Sequence, residues 1–137
     1  MTYTPKVLRD AADLINHQGL HTGDQFVAAD GALDLVAALY QAATLILPTV
    51  FRTDANQAIT CIKGSQRALT AIRAVYDTLD AAYPEVHDTD DVIDTVSHWA
   101  AVGDAGPDQQ PPTTSEVIGR LLRLADRLEQ QDTALAA

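Results

Sequence analysis

One cysteine, Cys61, stands among 137 residues. No disulfide can close within the chain, and no cysteine-rich metal site can form. A reducing compartment, the cytoplasm, is the expected setting. Lysine is almost as scarce: of nine basic residues only Lys6 and Lys63 are lysine, against 19 acidic residues and a net charge of −10. That balance disfavours sequence-independent nucleic-acid binding, which needs cations to displace phosphate counterions. It disfavours docking on anionic membranes for the same reason. Glutamate is rare too, with Glu85, Glu116 and Glu129 the only three. Carboxylate-bridged metal bundles and helical pyrophosphohydrolases need repeated glutamates on facing helices, and this chain lacks them. Aromatic residues make up 5%, so the core must be built from Ala, Leu, Val and Ile. No apolar run is long enough to cross a bilayer, since the longest, residues 31–47, carries Asp34. The opening MTYTPKVLRDAADL lacks the apolar centre of a signal peptide. Neither a phosphate loop nor a dinucleotide fingerprint is present.

What the chain does have is helical periodicity. Between residues 31 and 47 only Gly31, Asp34, Gln41 and Thr44 are not apolar. A helix apolar nearly all round must be covered on most of its surface, which makes it the post of a bundle. Asp30 is the expected cap, Pro48 the stop, and Asp34, Gln41 and Thr44 the one wet stripe. Thr4-Pro5 opens a first helix to residue 18, with Val7, Leu8, Ala11, Ala12 and Ile15 as its inner face and Gly19 as its stop. Asp54 caps a segment reaching residue 83, where Ala58, Ile62, Leu69 and Ile72 form a seam. Gly64-Ser65 allows one kinked helix or two shorter ones. Thr89 or Asp90 opens a further helix, residues 103–112 read as a flexible loop, and Thr113 with Glu116 has capping-box spacing for the last helix. No run alternates with period two. The expectation is one all-α domain over residues 1–137, a bundle of about five helices around residues 31–47.

Two clusters suggest chemistry. His87, Asp91, Asp94 and His98 are spaced four, three and four apart. On one helix they share a face, where two imidazoles and two carboxylates would hold a divalent metal for hydrolysis. Against that, Pro84 places His87 ahead of the helix, and acidic residues at Asp88, Asp90 and Asp91 are what a helix N-terminus favours. Asp13, His17 and His21 are each four apart, but Gly19 breaks the helix between the two histidines, and a surface helix end is the expected reading. Arg120, Arg123 and Arg127 form a basic stripe opposite the apolar face of the last helix, and Lys63, Arg67 and Arg73 do the same earlier. Such a stripe binds a phosphate or an acidic partner, or pairs with neighbours such as Asp126 and Glu129. The segment GSQRALTAIRAV has a helix-turn-helix flavour without a clear companion helix. Cys61, near an apolar face, reads as an inert thiol.

Two blocks, VLRDAADLINHQGLHTGDQF with GALDLVAALYQAA and VIDTVSHWAAVGDAGPDQQPPTTSEVIGRLLRLADRLE, resemble an actinobacterial family of small helical proteins of unknown function. Trp99, Thr113 and Glu116-Val117 carry the second block. The chain departs from the family pattern in having Ala100-Ala101 after the tryptophan. The resemblance covers about half the chain, and residues 53–83 have no counterpart in it. It implies a helical fold and no activity.

The expected function is therefore non-catalytic: protein–protein contact, including self-association through surplus apolar surface on helix two and the seam. The alternatives are a metal-dependent hydrolase at residues 87–98 and an acidic regulator that occupies a nucleic-acid binder's basic groove.

Overall fold

The computed structural model describes residues 3–22, 26–79, 88–103 and 110–136, with side chains in the last helix as far as Gln131. Helix α1, Tyr3–Gln18, buries Val7, Leu8, Ala11, Ala12 and Ile15 on one stripe. Gly19 ends it with φ +91° and donates its N–H to the Ile15 carbonyl at 2.8 Å. That is the left-handed stop for which glycine is suited.

The next stretch is a clip around Leu33. His21 donates its N–H to the Leu33 carbonyl at 2.8 Å, and Leu33 donates to the Gly19 carbonyl at 3.0 Å. Ala28 donates to Ala32, and Asp34 to Phe26, both at 2.9 Å. Gly31 thus turns the chain, Ala32 and Leu33 are held by backbone bonds outside any helix, and the expected helix over 31–47 is shorter. Helix α2 is Leu35–Thr44, and its cap is Asp34, whose Oδ1 accepts from the Ala37 N–H at 2.7 Å. Asp30 instead accepts from the Ala32 N–H at 3.0 Å, closing a turn. The helix stops before residues 45–47 because Leu45 takes a left-handed conformation, φ 69°, and returns its N–H to Gln41. Within these bounds α2 is the post: Leu35, Val36, Ala37, Ala38, Leu39, Tyr40, Ala42 and Ala43 are all buried. Each leucine so covered contributes roughly 1.5–3 kcal/mol of transfer free energy.

The long segment is two helices preceded by a short turn. After α3, Val50–Thr53, come α4, Ala55–Lys63, and α5, Gln66–Tyr76. Gly64 gathers the last carbonyls of α4, while Ser65 Oγ accepts from the Ala68 N–H at 3.2 Å to start α5. A stop and a cap side by side settle the break. Phe51 is fully buried, with ring centroids 5.6 Å from Phe26 and 4.8 Å from Tyr40. These few aromatics fill one corner that small aliphatics leave open. Helix α6, Thr89–Val102, is capped by Asp88, and α7 is Thr114–Ala136.

The capping box forms as expected. Thr113 Oγ1 accepts from the Glu116 N–H, and Glu116 Oε1 accepts from the Thr113 N–H, both at 3.1 Å. Among the described residues seven helices pack against one another, α2 chiefly on α1, α5 and α6, and α7 along α1. Among the described residues there is no strand, only isolated bridges at Leu33, and no helix is long and apolar enough to cross a membrane.

Candidate functional site

Helix α7 turns Val117, Leu121, Leu124 and Ala125 into the core. Leu122, between two of these, is 40% exposed. The arc next to the buried one carries Arg120, Arg123 and Arg127. Arg120 is held from two sides. Its Nη1 donates to the carbonyl and the Oγ1 of Thr78, each at 3.0 Å, and its guanidinium lies 4.7 Å from the Trp99 ring centroid. Stacking and bidentate donation fix a long side chain that is otherwise free. The charge therefore sits at the junction of α5, α6 and α7.

Arg123 and Arg127 follow along the helix, exposed, with no hydrogen bond or ion pair to any described residue. Their expected partners have gone elsewhere. Arg9 of α1 donates to Asp126 at 2.7 Å and to Glu129 at 2.6 Å, and the contact lowers the Glu129 pKa. Two adjoining clefts of about 160 and 400 Å³ share Arg120 and Arg123. Trp99, Gly103, Gln110 and Glu116 line the smaller; Asp77, Thr78 and Arg127 line the larger. Gly103 shapes the first: it has φ +83°, and a Cβ there would lie 2.4 Å from the Gln110 carbonyl oxygen. Three permanent cations around polar clefts make a site for carboxylate or phosphate oxygens.

The earlier basic stripe is engaged within the chain. Lys63 pairs with Asp90 at 2.9 Å, Arg67 stacks 4.1 Å from the Tyr3 centroid, and Arg73 donates to Thr89 Oγ1 at 3.0 Å. The segment GSQRALTAIRAV forms the turn and α5, following α4.

Of the proposed metal set, His87 lies outside the described residues. Asp91, Asp94 and His98 all sit on the exposed side of α6. Partial burial, then Asp90 and Asp91, raise the Asp94 pKa. Among the described residues no three His, Cys, Asp or Glu side chains gather as a metal site. His17 sets its Nδ1 2.8 Å from the Asp13 carbonyl. Cys61 is a half-buried free thiol. Most of the expected 103–112 loop, residues 104–109, also lies outside the described residues.

The residue that sequence reasoning misplaced is Asp34. Expected on a wet stripe, it is 3% exposed. Besides capping α2, its Oδ2 accepts from Ser97 Oγ at 2.6 Å. Burial pushes its pKa up to about 7, with the Ser97 and Ala37 hydrogen bonds and the charge of His21 pulling the other way. The available signal was an aspartate directly ahead of the LVAALY run.

No curated protein matches this chain, and no solved structure does. The resemblance carried by two blocks extends further than half the chain: a match over residues 1–127 takes in the middle segment as well. The chain belongs to the family of unknown function DUF6197.

Proposed function

We propose that this protein is a non-catalytic binding module that engages an acidic segment of a partner protein through Arg120, Arg123 and Arg127. The observation that carries this reading is the fixing of Arg120 between Thr78 and Trp99, while Arg9 occupies Asp126 and Glu129, the acidic residues nearest the arginines of the same helix. A guanidinium already immobilised loses little entropy on binding, so more of each charge-assisted bond becomes affinity. On a chain of net charge −10 the rest of the surface repels an acidic segment and orients it to this face.

Self-association on α2, the other expectation, has less to work with, because that helix is covered by the chain's own helices. A cytoplasmic setting and an actinobacterial origin belong to the same proposal, supported by the lone Cys61 and by arginine and alanine in excess.

Titration calorimetry with an oligo-glutamate peptide tests the reading. Saturable binding that weakens with salt is expected, and the double variant Arg123→Ala/Arg127→Ala should lose about tenfold in affinity. Binding of an oligo-serine peptide just as tightly would rule the reading out.

A further inference from the structure

A second cleft, of about 310 Å³, opens between α1 and α2 and shares no residue with the arginine face. Asp10, Asp13, Leu14 and His17 of α1 line it together with Gln41 and Ala42 of α2 and the following Leu45. Its size is at the lower end of ligand pockets, roughly 300–1,000 Å³, and its walls are mostly apolar with a few polar groups. Room for one ring or a short alkyl chain follows.

Three features point to an occupant. The Gln41 side-chain oxygen is shielded from solvent and has no hydrogen-bond partner among the described residues, a state that is costly to leave unmade. Leu45 is 80% exposed and left-handed, φ 69°, although the position after a helix ordinarily goes to glycine. An apolar side chain is thus held at the rim at a cost in strain and in exposed surface, and a ligand resting on it recovers the second. The polar rim is acceptor-rich: Asp13 makes no ion pair among the described residues, and Asp10 already holds one ammonium, that of Lys6, at 2.6 Å.

We propose that this cleft binds a small organic amine, its apolar body against Leu14, Ala42 and Leu45 and its ammonium group against the Asp13 carboxylate, with the Gln41 amide turning its shielded oxygen into the cleft to accept a second bond. An ammonium has three donors and no acceptor, so it matches a rim of acceptors. A neutral alcohol of the same shape forfeits the charge-assisted bonds, and an anion is repelled.

The probe is benzylamine, followed by methyl NMR of the intact chain, with benzyl alcohol and benzoate as comparisons. Benzylamine should shift the Leu14, Ala42 and Leu45 methyl resonances in a saturable way, about tenfold more tightly than benzyl alcohol, with no shift from benzoate. Asp13→Asn, an exposed position that leaves the fold unchanged, should remove that preference. Leu45→Gly relieves the left-handed strain, so its Tm should rise while benzylamine binding weakens. Equal binding of amine and alcohol would overturn the proposal, as would absence of any saturable shift with benzylamine. A Leu45→Gly variant that gains stability yet binds benzylamine unchanged would do so too, because Leu45 would then have no part in holding a ligand.

Discussion

Asp34 is placed where a negative charge is expensive and where its removal costs little. The folded carboxyl holds its proton up to about pH 7 rather than 3.8, so folding takes up a proton that the unfolded chain has released in between. Stability from this group is complete below about pH 4 and is lost as pH rises through 7. Asp34→Asn keeps an oxygen for the Ala37 N–H and cannot ionise, and asparagine caps as well as aspartate. Its Tm should exceed that of the parent by a margin that widens between pH 5 and pH 8, on the order of 2 kcal/mol in stability. Thermal unfolding followed by circular dichroism at the two pH values decides this. A margin independent of pH would show that the buried carboxyl does not titrate in the window.

At the scale of elements, local chemistry decided most boundaries. Thr113 and Glu116 were legible because a capping box needs only neighbours. The post was legible because residues 35–43 are apolar save for Gln41, but its start was not. Gly31, with φ +91°, turns the chain so that Ala32 and Leu33 meet Gly19 and Ala28, and no periodicity shows a backbone committed to a distant strand-like partner. Asp34 was misplaced for the same reason, since helical spacing cannot separate a buried cap from a wet stripe. The arginine stripe was visible as spacing. That Arg9 takes Asp126 and Glu129, 117 and 120 residues away, is set by α1 packing on α7, a contact no local pattern encodes. Gly103 joins α6 to that arrangement. Gly103→Ala combines a positive φ with a Cβ 2.4 Å from the Gln110 oxygen, so about 1–3 kcal/mol of stability should be lost, measured by urea unfolding. A change under about 0.5 kcal/mol would mean the approach to Gln110 is not maintained in solution.

Across the whole molecule, charge and packing assign different faces to different tasks. The interior is a close-set arrangement of small aliphatic helices around α2, which leaves little of that helix for a partner. The surface carries a net −10, yet Arg120 stacks on the single tryptophan, Trp99, which is 4% exposed, and Arg123 and Arg127 follow along the same helix. The tryptophan beneath Arg120 reports on that face without any label. The most direct test is therefore the emission of Trp99 during titration with oligo-glutamate. A saturable change is expected, its midpoint moving to higher peptide concentration with added salt by an amount reflecting screening over a Debye length of about 8–10 Å. The change should shift to about tenfold higher concentration in Arg123→Ala/Arg127→Ala. Emission that stays constant through the titration, or that changes with the same midpoint in the variant, would contradict the assignment of this face as the binding surface.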